Sequence, residues 1–112
     1  MIAGEKLYAL HDENLNGFLT WMEKGTSAIL LFTTGGKAEE YINMVYPKRP
    51  LSVYAVHKTR MTTFVESMIV SGLEYAVIDL PWQHADWTES YEDDVVRDYA
   101  IVDLRMVKAR FT

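Results

Sequence analysis

The chain has no cysteine, which excludes disulfides and thiolate-ligated zinc outright. Proline is scarce, with three in 112 residues. Two of them, Pro47 and Pro50, fall close together and mark a boundary between elements. No apolar run approaches the roughly 20 residues needed to cross a bilayer, so no membrane partner is expected. The opening MIAGEKLYALHDEN lacks a basic stretch followed by a long apolar segment, so no signal peptide is expected and a cytoplasmic location is the default. Positive charge is also in deficit. Eleven Lys and Arg stand against 16 Asp and Glu, a formal net charge of −5. That balance argues against general nucleic-acid binding, which needs an excess of cations to neutralise phosphates.

Catalytic signatures are absent in the same way. Gly35-Gly36-Lys37 invites comparison with a phosphate-binding P-loop. That motif also needs glycine where Leu31 stands and Ser or Thr where Ala38 stands. No GxGxxG follows any strand, and Ser52, Ser67, Ser71 and Ser90 lack a G-x-S-x-G context. The metal and acid–base pool is His11, His57, His84, Asp79 and Asp86, without a recognised ligand spacing. The expectation is a protein that is not an enzyme and holds no metal or cofactor.

What is present is a well-patterned single domain covering residues 1–112, with 49% apolar and 24% charged residues. Leu51–Leu80 reads as strand, helix, strand. LSVYAVH and LEYAVIDL are short, β-branched and aromatic, as buried strands are. Between them Met61, Phe64, Val65, Met68 and Ile69 recur at helical spacing. Gly72 stands where a helix ends in a left-handed residue. A helix between two such strands predicts a parallel pair with a right-handed crossover.

Upstream, Ala28–Phe32 (AILLF) reads as a central strand. Ala38, Tyr41, Ile42 and Val45 make one helical face from Lys37 to Pro47. Glu39 and Glu40 are placed in that helix's first turn, where negative charge suits the dipole. The middle of the chain is therefore βαβαβ, with both helices expected on one face of the sheet. Glu5–Leu10 and Phe18–Met22 predict an N-terminal β-hairpin around the turn-rich HDENLNG. Tyr99–Val107 alternates and favours a last strand, with Ile101 and Val107 on its less buried side. A helix from Asp93 to Val107, striped by Val95, Val96, Tyr99 and Val102, is the competing assignment. The fold class is α/β: a small mixed sheet around a parallel βαβαβ unit, an N-terminal hairpin and two principal helices. Leu30, Phe32, Ile42, Val53, Ala55, Phe64, Val65, Met68, Val77 and Ile78 are the expected core.

Ligands gather at the carboxyl edge of parallel strands. Thr34, Gly35, Gly36 and Lys37 after one strand, and His57, Lys58 and Arg60 after another, combine hydroxyls, cations and helix N-termini suited to a small anion. The structural alternative is that Thr34 and Thr59 simply cap helices and the cations are solvated. Pro81–Asp94 is acidic from Asp86 onward and holds no Lys or Arg. Its Trp82, Trp87 and Tyr91 are either contact anchors for a partner or rings folded back over an open sheet face. Three tryptophans, seven tyrosines and six methionines also suit a homodimer, through Tyr99–Val107 or through Trp82–Tyr91.

The run ILLFTTGGKAEEYINM, then SVYAVH, a helix, and GLEYAVIDLPW resembles the SseB-type N-terminal domain of bacteria over about Leu7 to Trp82. The shared pattern is an apolar strand ending Phe-Thr, a helix with an Ala-Glu start, and an amphipathic helix ending in Gly. A strand closing on Asp79, Leu80 and Pro81 completes it. The resemblance implies a small α/β domain with a role in protein interaction or secretion-related regulation, and carries no agreed active-site residues. A binding or adaptor module with a protein partner is therefore the first expectation. A small-anion sensor at the carboxyl edge is the second, and an acidic toxin-neutralising protein is a variant of the first.

Overall fold

In the computed structural model the described residues are 6–23, 26–82 and 100–111. The elements are β1 (Lys6–Asp12), β2 (Gly17–Phe18), β3 (Thr20–Glu23), β4 (Thr26–Phe32), α1 (Gly35–Val45), β5 (Leu51–His57), α2 (Met61–Val70), β6 (Tyr75–Ile78), β7 (Ala100–Asp103) and α3 (Leu104–Phe111). The fold is mixed α/β, with one seven-stranded sheet of parallel and antiparallel pairs and three helices among the described residues. No helix of these residues is long and apolar enough to cross a membrane.

The N-terminal hairpin forms as its turn chemistry requires. β1 and β2 pair antiparallel, Asp12 opposite Gly17, and Asn16 takes the left-handed φ of 52° that asparagine tolerates. Asp12 Oδ1 accepts from the Asn14 and Leu15 amides at 3.0 and 3.1 Å, which closes the loop. The returning strand does more than finish a hairpin. β1 meets β4 only at Tyr8–Phe32 and Ala9–Leu31. Beyond that point the two strands separate and the β2–β3 segment fills the gap. Leu19 N–H donates to Leu10 O at 2.8 Å, Leu19 O accepts from Leu30 N–H at 3.5 Å, and β3 then pairs with β4.

β4, β5 and β6 follow one another through α1 and α2 as expected, but the expected parallel pairing of β5 with β6 is overturned. β5 pairs antiparallel with β1 along all of Leu51–His57, and β6 pairs parallel with β4. Across the sheet the order is β5, β1, β4, β6, β7. N-terminal β1 occupies the place beside β4 that the local pattern assigned to its successor.

This order also overturns the expectation of both helices on one face. The crossover through α1 runs outward from β4 to β5, and the crossover through α2 runs back from β5 to β6. Crossovers of one hand that travel in opposite directions place their helices on opposite faces. Ala38 and Tyr41 of α1 pack with Leu10, Leu30, Phe32 and Val77. Met61 and Val65 of α2 pack with Leu7, Ile29, Leu31 and Ile78, joined by Leu104 and Val107 of α3. The single expected core is therefore two layers separated by the sheet. Ile42, Val53, Ala55, Phe64 and Met68 are partly rather than fully buried.

The end of the chain is corrected as well. The alternation of Tyr99–Val107 continues past Asp103, but the strand runs only from Ala100 to Asp103 and a helix follows. Asp103 Oδ1 accepts from the Arg105 amide at 2.8 Å, the bond of a helix-starting carboxylate, and Leu104 N–H donates to Glu74 O at 3.0 Å. Val107 is fully buried against α2's layer rather than on an exposed strand face. Three smaller expectations meet the structure directly. Thr34 caps α1, accepting from Lys37 N–H at 3.1 Å. Thr59 caps nothing, because it lies in a short 3-10 turn, Lys58–Arg60, ahead of α2. Glu39 and Glu40 fall beyond the first turn, because α1 starts at Gly35.

Candidate functional site

Two concave regions lie near the residues singled out by the sequence. The first is at the carboxyl edge of β4 and β6. β6 ends at Ile78, and the N–H of the next residue, Asp79, still donates to Leu31 O at 2.9 Å. Asp79 then turns with φ of 62°. The turn points its carboxylate back at the end of β4. Oδ1 accepts from Thr33 N–H at 2.8 Å, and Oδ2 accepts from Thr33 Oγ1–H at 2.8 Å and from Lys37 Nζ at 3.2 Å. Beside this knot is a hollow of about 220 Å³ lined by Phe32, Lys37, Glu40, Tyr41, Asp79, Leu80, Pro81 and Trp82. Its charged lining is one cation against two carboxylates, and the cation is already held by Asp79. A free anion gains little there.

The sequence-derived anion residues are at one edge of the sheet but do not form one surface there. Thr34, Gly35, Gly36 and Lys37 follow β4, and His57, Lys58 and Arg60 follow β5. β1 stands between, with Tyr8 opposite Phe32 and Lys6 opposite His57. The ring of Tyr8 lies 3.6 Å from where a Cβ on Gly35 would be, and Lys6 Nζ lies over the same ring, 5.8 Å from its centroid. Of these residues Lys37 lines the first hollow, and Arg60 lines a different one on the other face. Trp82 is half-buried, packed against the α1 layer. Trp87, Tyr91, His84 and Asp86 lie outside the described residues. Among the described residues no group of three His, Asp or Glu side chains could hold a metal.

The second region was not anticipated. It is a cleft of about 410 Å³ between α2 and the outer end of the sheet, lined by Phe18, Tyr54, Ala55, Val56, Arg60, Thr63, Phe64, Ser67 and Met68. Phe18 of the inserted strand is its centre. Its ring meets those of Tyr54 at 5.2 Å, Phe64 at 5.3 Å and His11 at 5.3 Å, all edge-on. The cleft opens where α2, which packs with α3 on one face of the sheet, meets β5 and the hairpin mainly through Met61, Val65 and Phe64. Its volume is in the range of ligand-sized clefts, about 300–1,000 Å³. Among the described residues Arg60 is the only charged one in the lining, and it makes no ion pair with any of them.

A further charge pair, with a buried carboxylate and an exposed guanidinium, has a structural role. Asp12 is nearly buried and pairs with Arg49, whose guanidinium also lies over the Tyr46 ring at 4.9 Å. The Arg49 hydrogen bond holds the Asp12 carboxyl below its ordinary pKa. Desolvation opposes it, and the Leu15 and Asn14 amides reinforce it. The pair ties the hairpin loop to the segment between α1 and β5, where Glu13 N–H also donates to Pro50 O at 3.1 Å.

The chain matches no protein-family model, and no curated protein is similar to it.

Proposed function

We propose that this chain is a non-enzymatic protein-interaction module that receives an extended segment of a partner protein along β5. The supporting observation is the condition of that strand. All seven of its residues pair with β1 on one side, and among the described residues no strand pairs with the other side. Alternate residues of such an edge direct N–H and C=O groups outward, a template for another strand. Proteins usually blunt an exposed edge with proline, lysine, a bulge or brevity. Leu51–His57 (LSVYAVH) uses none of these. The opposite edge, β7, is four residues long and turns at once into α3. Strand addition to an edge is a recurrent way of binding peptides, with main-chain bonds giving affinity and side-chain pockets giving selectivity. The interaction role implied by the SseB-type resemblance points the same way.

The reading is tested by selecting binders from a displayed library of extended peptides, then titrating synthetic versions into isotope-labelled protein. Amide shifts should concentrate on Leu51–His57 and its neighbours. Tyr54, 42% exposed, can be changed to lysine without emptying the core, and Tyr54→Lys should place a blocking charge on the edge and abolish binding. Selected peptides that leave every β5 amide unmoved would reject the reading.

A further inference from the structure

We infer that the cleft beside β5 makes this edge selective for partner strands that lie parallel to β5 and carry an aromatic or branched apolar side chain followed two residues later by an acidic one. The inference rests on β5 as the docking edge and adds the chemistry of what docks. A strand laid against β5 would point alternate side chains toward α2, because successive residues alternate faces. On that side it meets Tyr54 of β5 and Phe64 and Met68 of α2, and the Phe18 ring stands behind them, edge-on to Tyr54 and Phe64 from the far side of β1. An apolar side chain inserted there removes its own surface and theirs from water, and methionine and aromatic residues adapt well to such guests.

The cleft also has a direction. Phe64 and Met68 lie four apart on α2, and Arg60, the residue just before that helix, stands four ahead of Phe64; four residues of helix advance about 6 Å. Side chains i and i+2 of a strand stand about 7 Å apart on one face. Arg60 follows the carboxyl end of β5, so in a partner laid parallel to β5 a residue placed at Phe64 puts residue i+2 near Arg60. Among the described residues no carboxylate lines the cleft, and none forms an ion pair with Arg60. An acidic residue at that position supplies the missing charge and can bond the guanidinium bidentately. Lys58 precedes Arg60 in the same short turn and adds to the local positive potential, which favours acidic segments over basic ones.

The test is fluorescence anisotropy on the full chain with four labelled extended peptides of one length. They carry Phe and Glu, Phe and Gln, Phe and Lys, or Ala and Glu at positions i and i+2. The Phe–Glu peptide should bind best. The Phe–Gln peptide should bind about tenfold more weakly, the scale of one charge-assisted hydrogen bond. Arg60→Gln should remove the advantage of Glu over Gln and leave the Phe–Gln affinity unchanged, which a folding defect would not do. Equal binding of all four peptides overturns the inference and leaves the edge-docking reading intact. Binding of none overturns both. Light scattering on the protein alone supplies the remaining arm. A dimer that Arg60→Glu dissociates would make a second copy the occupant and overturn the inference, whereas a monomer supports a separate partner.

Discussion

Asp79 holds a left-handed backbone conformation that costs an ordinary residue about 1–2 kcal/mol. Its carboxylate offsets the cost by taking Thr33 N–H, Thr33 Oγ1–H and Lys37 Nζ. Replacing it by alanine should destabilise the fold by about 1–3 kcal/mol, because the Thr33 amide loses its acceptor. Asp79→Gly loses the same bonds but accepts the backbone angle, so it should be the less harmful of the two in urea unfolding. Equal losses would show that the backbone angle carries no cost. Asp12 sets an acid limit on stability. Its depressed folded-state pKa contributes stability that is complete above the unfolded carboxylate value of about 3.9. That contribution is lost as pH falls through the folded value. Asp103, depressed chiefly by its hydrogen bond to Arg105, acts in the same window. Acid unfolding should steepen below about pH 4. Arg49→Met should shift the Asp12 carboxyl titration, followed by NMR, upward toward the ordinary value.

At the scale of elements, two glycines that look alike in the sequence have different roles. Gly72 follows α2 with φ of 102°. Its N–H donates to Ile69 O at 3.0 Å and the Leu73 N–H donates to Met68 O at 3.1 Å, the paired bonds of a Schellman ending. Gly72→Ala should cost about 1–2 kcal/mol, since an L side chain resists that angle. Gly36 lies within α1, and a Cβ there would meet nothing within 4 Å. Gly36→Ala should instead stabilise the protein by about 0.4–1 kcal/mol by restricting the unfolded chain. Thermal unfolding of the two variants should therefore move in opposite directions. A large loss from Gly36→Ala would mean that the α1 start needs a bare backbone. The same scale explains α3. The alternation from Tyr99 to Val107 suits a strand, and the chain leaves it for a helix where the Asp103 carboxylate accepts the Arg105 amide.

For the molecule as a whole, the order β5, β1, β4, β6, β7 makes β4 and β1 interior strands and leaves β5 outermost. Hydrogen exchange should reflect that order. Amides of β4, and of β1 where it pairs, should exchange slowest, and those β5 amides directed away from β1 should exchange fast. A bound partner segment should slow that outward set of β5 amides and leave those of β4 unchanged. Uniform protection along β5 in the free protein would mean that the edge is already covered.

Much of the chain was determined by its own local pattern. The helices of α1 and α2 follow from apolar spacing, the turn at Asn16 and the α2 ending at Gly72 from residues that tolerate positive φ, and the strands from short β-branched runs. Each is a near-neighbour effect, set by sterics and periodicity over a few residues. Tertiary structure alone decided which strands are neighbours. β5 and β6 satisfy their local patterns equally well whether adjacent or three strands apart. β1, more than forty residues earlier in sequence than β5, took the intervening place. The return of β6 to the far side of β4 sent α1 and α2 to opposite faces, and the insertion of β1 divided the carboxyl-edge residues between two regions. It also brought Phe18 against Tyr54 and Phe64. The cleft on which the proposed partner selectivity depends is assembled from segments far apart in the chain. No local pattern records it, because side chains that meet only across a sheet leave no spacing in the sequence.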